Sequence, residues 1–349
     1  MGAGRMLKMI KNPVSRRRIQ NFIGNRRAYI SLYVFLTLFI LGLLAELVAN
    51  DKPILVSFQG KLHFPVFKAY LETEYGGDFE IETEYHDPYI RRLIEQNGWM
   101  LWPVIRFRYD TIDYELEVPA PAPPSRTHLL GTDDGGHDVA ALILYGFRVS
   151  VLFGIVLTIF STIIGVTAGA VQGYFGGLLD LIFQRFIEMW SSLPALYLII
   201  IITSIIQPTF GLLLVVLLLF RWLSLVGVVR AEFLRVRNFE FVKAAKALGV
   251  SNRTIIFRHI LPNAMVSTFT FLPFILNGSI IALTSLDFLG LGLPPGSPSL
   301  GRLLAQGKAN LQAPWLGITS FVVISVMLSL LVFIGEGIRD AFDPRRQLG

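Results

Sequence analysis

The chain has 349 residues, of which 53% are hydrophobic and 16% charged, and its mean hydropathy is +0.58. That is too apolar for a water-soluble domain and calls for several membrane crossings. The formal net charge is +6, and the lack of any cysteine excludes disulfides, thiolate metal sites and cysteine nucleophiles.

The charge is unevenly placed. Residues 1–45 carry eight Lys or Arg and no acid, whereas residues 50–138 carry sixteen Asp or Glu against eight Lys or Arg. By the positive-inside rule this predicts a basic cytoplasmic tail over 1–27 and an external insert over 50–138. Nucleic-acid binding is a competing use of Arg16-Arg17-Arg18 and Arg26-Arg27. The run abuts a long apolar segment rather than a folded basic surface, so no nucleic-acid partner is expected. Residues 28–49 are long enough for a first crossing, which takes about 20 residues, and they lack a small-x-small cleavage site. They read as a retained anchor.

The insert is rich in aromatic residues, with prolines clustered over 119–124. Alternation in Ile105–Tyr109 and Tyr114–Val118 predicts a small β element, within a compact lid or docking module or a partly disordered loop. Asp133, Asp134 and Asp138 are compatible with a cation, and more readily with a polar loop that caps the next helix.

Residues 139–335 predict a five-helix membrane core. The second span covers 148–172, where Gly165, Gly169 and Gly173 recur every four residues and offer a face for close helix packing. A short turn follows over 173–180. The third span covers 181–206 with a kink at Pro194, then Gln207-Pro208 turns the chain. The fourth span covers 211–230, the fifth 264–289 and the sixth 315–335, leaving a cytoplasmic tail over 336–349. Between the fourth and fifth spans, seven Lys or Arg lie from Arg230 to Arg258 against Glu232 and Glu240. That charge places loop 231–263 in the cytoplasm with both termini.

Within that loop, Phe239–Leu248 reads as a helix, with Phe241, Ala244, Ala245 and Leu248 at i, i+3, i+4 and i+7. Gly249 ends it. Ser251 or Asn252 caps a second helix, and Pro262 limits it. The product is a helix, a glycine turn and a helix, held by the membrane and facing the cytosol. Small residues on its first helix let another protein approach closely, so a soluble motor can push on it.

Arg221 lies near the middle of the fourth span. A guanidinium at that depth costs about 2.5–3.5 kcal/mol or more, so it should not face lipid. Either it pairs with a carboxylate, Glu188 being the nearest candidate, or it lines a water-filled path where it meets a peptide carboxylate or phosphate. Asp287 and Glu46 lie nearer the external ends of their spans, and the water-lined path is preferred for want of an acid at matching depth.

Ala244-Ala245, three residues, Gly249, then Ile260-Leu261-Pro262 resembles the "EAA" loop of ABC-importer permease subunits. The flanking Lys243-Ala-Ala-Lys-Ala-Leu-Gly249 and Arg258-His-Ile-Leu-Pro-Asn263 are similar to the dipeptide/oligopeptide branch, with Lys243 where that family carries an acid. Gly131-Thr-Asp133 to Gly154 is similar to the family's GTDxxGRDVxxRxxxGxRxSLxxG stretch, with His137 and Ala141 at the two basic positions. Phe288-Leu-Gly-Leu-Gly292 with Pro294-Pro295 and Pro298-Ser299-Leu-Gly301 resembles FLGLGxxPPxPSWG, and Gly335–Arg345 resembles GDGLRDALDPR. The long insert and basic tail resemble inner-membrane subunits of oligopeptide/microcin C importers.

The resemblance implies the type I ABC importer permease fold, an all-α membrane protein of six helices with a large external loop after the first. It implies an inner-membrane subunit forming half of a path for peptides, including peptide-like compounds such as microcin C. Its implied partners are a second homologous permease, two ATPase subunits, a periplasmic binding protein, membrane lipids and the peptide. In the family this loop forms the coupling helix, which assigns ATPase coupling to Glu240, Lys243, Ala244, Ala245, Leu248, Gly249, Ile260, Leu261 and Pro262. Arg221 is the candidate residue of the path.

No catalytic constellation accompanies these features. There is no G-x-x-x-x-G-K-[ST] loop. Gly301-RLLAQ-Gly307-Lys308-Ala309 has the wrong spacing, lacks the Mg²⁺-binding hydroxyl and reads as an external loop. HExxH and G-x-S-x-G are also missing, and no metal spacing links His63, His86, His128, His137 and His259. The chain is therefore expected to be no enzyme and to bind no cofactor or metal itself, ATP and Mg²⁺ being used by partner subunits. A stand-alone secondary transporter is the main rival. It would be built from paired inverted repeats with broken helices, and no repeat relates the two halves. A membrane enzyme is a weaker one.

Overall fold

The computed structural model describes residues 13–342. Residues 1–12 of the basic tail and 343–349 of the C-terminal tail, with Asp343-Pro344-Arg345, lie outside them. Helix α1, Pro13–Gly24, leads through Asn25 into α2, Arg26–Leu43. The Asn25 side chain accepts from the Ala28 N–H, which satisfies one of the orphan donors at the start of α2. A helical turn, Ala45–Val48, closes the first span.

The insert folds as a small α/β module. Strands β1 (Leu55–Phe58), β2 (Lys61–His63) and β3 (Gly98–Leu101) form an antiparallel sheet in the order β2-β1-β3, with Val56 opposite His63 and Met100. Helix α3, Pro88–Asn97, capped by Asp87, packs Ile90 and Ile94 against Val56, Phe58, Tyr75 and Tyr85. The β element thus lies outside the two predicted segments. Ile105 makes one isolated bridge, with Ala49, and Tyr114–Val118 forms no strand. The alternation there serves another purpose. Phe107 turns inward onto His86 and His128, while Arg106 and Arg108 lie over Trp102 and Tyr109.

Helix α4, Val139–Phe175, runs 37 residues without a break. Helices α5 (Gly177–Ser191) and α6 (Ala195–Ile205) follow, then α7 (Phe210–Arg221) and α8 (Leu223–Val236). Helix α9 is Glu240–Ala247, and α10 is Asn252–Thr254, which continues through a π-helical segment, Ile255–Ile260, into α11, Leu261–Phe288. Helices α12, Leu300–Ala309, and α13, Pro314–Phe342, complete the described chain. Five of these stretches are long and apolar enough to cross a membrane: Arg26–Leu43, Val139–Phe175, Phe210–Val236, Asn252–Phe288 and Pro314–Phe342.

The pair α5–α6 makes a sixth if it is one span, but it is bent by 64° rather than kinked. Pro194 disfavours helix at the residue before it, and it takes extended angles itself. Ser191 and Ser192 then turn their hydroxyls back onto the carbonyls of Glu188 and Met189.

Two further expectations fail for local reasons. Pro262 does not limit the second helix of the loop, because the chain is helical from Asn252 to Phe288. The π turn just before it bonds the Leu261 N–H to the Ile256 carbonyl, five residues back, and this wider winding accommodates a residue without an N–H. The 301–309 segment is helix α12, not a loop. Ser299 caps it and accepts from the Arg302 N–H, and Leu300 and Leu303 are buried. Asp287, at the end of α11, accepts from the Leu293 N–H at 2.8 Å and the Ser299 hydroxyl at 2.6 Å, folding the proline turn over α11.

The glycine stripe packs as expected, against α8. A Cβ on Gly165, Gly169 or Gly173 would lie within 2.9 Å of Leu225, Val229 or Phe233 respectively. A second core joins Phe35 of α2, Phe147 and Val151 of α4, Ile280 of α11 and Met327 and Leu331 of α13. Arg148 of α4 fastens the helical turn after α2 by contacts with both carboxylate oxygens of Glu46 at 2.7 and 3.0 Å.

Candidate functional site

The elbow α9–α10 is built from the residues upward by two caps. Gly249 has φ +73°, a left-handed conformation that costs glycine little. Its N–H donates to Lys246, and the Val250 N–H donates to Ala245, so the last carbonyls of α9 are satisfied. Ser251 then caps α10 by accepting from the Thr254 N–H.

The nine residues assigned to coupling divide into two sets. Ala245 and Ile260 join a buried cluster with Val242, Tyr174, Phe233 and Ile255, and Leu261 packs against it. Glu240, Lys243, Ala244, Leu248, Gly249 and Pro262 are exposed. The amphipathic reading of α9 therefore needs correction. Phe241 and Leu248 point away from the chain, Leu248 being 82% exposed, and the buried face is Val242 with Ala245. Helical spacing marks a face but not which surface covers it. Lys243 pairs with Glu240 on the same helix at 2.9 Å.

Sequence reasoning missed the residues that hold the elbow. Tyr174, 4% exposed, donates its hydroxyl to Asn252 Oδ1 at 2.5 Å, and Lys246 Nζ sits 4.9 Å above its ring. Arg237 Nη1 donates to the carbonyls of Gly173 and Tyr174 at the end of α4. A tyrosine at the polar end of an apolar helix was the only signal.

Arg221 ends α7 and is partly buried. Its guanidinium donates to the carbonyl of Gly278 on α11, where the lack of a Cβ permits close approach. Glu188 pairs instead with Arg185, three residues before it, at 2.5 Å. The carboxylate-pair arrangement is therefore not the one adopted. One backbone carbonyl offsets part of the desolvation cost, because a charged donor makes a strong hydrogen bond.

The Asp cluster does what capping predicts. Asp138 caps α4 at the Ala141 N–H, 2.8 Å, and Asp133 Oδ1 accepts from the N–H groups of Gly135 and His137. Gln306 of α12 donates to Asp133 and Asp134. Among the described residues no group of three acidic or histidine side chains is placed to hold a metal. Sequence reasoning also missed His128. Its buried ring is held between Asp138 at 2.8 Å and Asp113 at 3.0 Å, and so joins the insert to the start of α4. Burial alone would lower its pKa, but the two carboxylates outweigh that and raise it. For Asp133, burial pulls upward, and hydrogen bonds from His137 and its backbone outweigh it and hold the carboxyl below the usual range.

The family described as "binding-protein-dependent transport system inner membrane component" matches residues 161–348, which include the stripe, the elbow and α11–α13. The Escherichia coli K12 "inner membrane ABC transporter permease protein YejE" is 58% identical over 335 residues, covering 96% of this chain and 98% of that protein. The chain belongs to this family of ABC-transporter permeases.

Two further relatives of the permease extend the comparison. The Agrobacterium fabrum "peptidoglycan transport system permease protein YejE" is 55% identical, covering 96% of this chain and 94% of that protein. The Haemophilus influenzae "oligopeptide transport system permease protein OppC" is 35% identical, covering 68% and 77%. The permease is a multi-pass inner-membrane protein of the type I importer fold, with its bundle in α2, α4–α8, α11 and α13.

Proposed function

We propose that the chain is the permease subunit of an importer for peptides and peptide-like compounds such as microcin C. It forms half of the pathway with a second homologous permease. Two ATPase subunits, which bind ATP and Mg²⁺, dock on α9, and a periplasmic binding protein delivers the cargo. The relatives are named for oligopeptide and peptidoglycan transport, and peptide is the chemistry common to both. The observation that carries the docking role is the outward face of α9. Phe241, Ala244 and Leu248 are exposed on a helix with two lysines, outside every apolar stretch long enough to span. An exposed apolar face with a basic rim fits a protein groove. Helix α5 buries none of its own side chains, which supports a second subunit or lipid along it.

Topology gives the first test. With six spans, reporter fusions at Phe79 should read outside the cytoplasm, and fusions at Asn252 and Gln347 inside. An inside signal at Phe79 inverts every later span and removes α9 from any ATPase. The insert is proposed to contact the binding protein or second permease, and transport that survives deletion of 60–100 would refute that contact.

Arg221 supplies the second test. Its Gly278 contact leaves donors for a passing carboxylate or phosphate on a water-lined path. Arg221→Leu should leave assembly intact and lower peptide uptake about 10- to 100-fold, as loss of one charge-assisted bond worth about 1.5–3 kcal/mol predicts. Unchanged uptake of every tested peptide would remove Arg221 from the path.

A further inference from the structure

We propose that Tyr174 is the positioning residue that passes movement of α9 into α4, and so to the outer side of the membrane. This rests on the docking role of α9 and goes further, by naming where the movement enters the bundle.

Tyr174 stands one residue before the end of α4 and is held by both helices of the elbow. Lys246, on α9, lies over its ring at 4.9 Å. Asn252, the first residue of α10, takes its hydroxyl at 2.5 Å. Arg237, the residue that ends α8, closes the carbonyls of Gly173 and Tyr174 at 3.1 and 3.2 Å and so ties α8 to the same helix end. These contacts satisfy orphan carbonyls at a helix end as well as gripping the ring. A rigid shift of α9 and α10 must therefore displace the end of α4 or break both the Lys246 and the Asn252 contacts to Tyr174.

Helix α4 can carry that displacement. It has no proline and no break over 37 residues, a length of about 55 Å at 1.5 Å per residue. At its far end Asp138 caps the helix and holds His128 of the insert. The glycine stripe bears on α8, so α4 and α8 move as one packed pair. Tyr174 is the point where a load on α9 meets this lever.

The chain has no cysteine, so two introduced cysteines can be labelled cleanly. Leu152→Cys on α4 and Phe321→Cys on α13 are exposed positions for spin labels. The distance between them is measured in the assembled transporter in nanodiscs, with and without ATP and Mg²⁺. In the labelled parent, ATP should change the distance. Tyr174→Phe, which keeps the ring and loses the hydroxyl, should reduce that change at least twofold at unaltered thermal midpoint and ATPase co-purification. Asn252→Leu should do the same, and the double variant should be no worse than either single.

A full ATP-driven change in Tyr174→Phe overturns the proposal, as does no change in the parent. A reduced change accompanied by lost assembly assigns Tyr174 to packing alone and also overturns it. The docking role fails separately, if Leu248→Asp still co-purifies with the ATPases.

Discussion

Leu248→Asp is expected to lower peptide uptake by about 30-fold or more, with the permease still inserted and folded. Leu248 is 82% exposed and touches no core, so a carboxylate there meets water in the isolated chain. In a docked complex it would be desolvated in a partner's groove, and central interface residues of this kind cost about 2 kcal/mol or more when lost. Co-purification of the ATPases checks the cause. Undiminished uptake with bound ATPases would show that α9 docks elsewhere or not at all. Ala245→Trp is no substitute for this experiment. Ala245 faces Val242, Ile255 and Ile260, so a large ring overpacks the chain's own core, at about 1–3 kcal/mol, and expression should fall. Gly249→Val is unsuitable too, since its φ of +73° strains a β-branched residue whatever the partner does.

The second large effect is at His128. His128→Leu leaves Asp138 and Asp113 without their buried donor, and removing one member of a buried charged pair costs about 3–5 kcal/mol. The thermal midpoint of the purified permease should fall accordingly, and the insert should become sensitive to protease. The pH dependence follows from the raised pKa. The folded state holds the proton more tightly than the unfolded chain. The stabilisation is therefore complete below the ordinary histidine value of about 6.5 and fades as pH rises through the higher folded value. Asp133 acts oppositely, its contribution fading as pH falls through its lowered value. His128→Gln should flatten the alkaline limb alone. An unchanged midpoint and pH profile in both variants would show that His128 does not join the insert to α4.

The Asp133–Asp138 loop shows how much of a site a local pattern can carry. Its carboxylates precede an apolar run, and capping needs only neighbours in sequence, so the role was legible. His128 was not, because Asp113 lies 15 residues before it and reaches it only once the insert has folded. The same contrast separates Gly249 from Tyr174. A left-handed glycine after a helix is a local event, whereas the Tyr174–Asn252 bond spans 78 residues.

The sequence by itself determined the membrane class, the presence of several long apolar helices, the glycine stripe, the elbow and the family resemblance. Each depends on hydropathy, charge or spacing along a short stretch, and backbone hydrogen bonding in lipid forces such stretches into helices. Tertiary structure alone decided which face of α9 is free, that Arg221 meets Gly278 rather than Glu188, and that the third span breaks by 64°. It also decided where the insert's strands pair. These depend on which surfaces meet across the bundle or the sheet. A helical period fixes that a face exists, but only the packed neighbour determines whether it is buried.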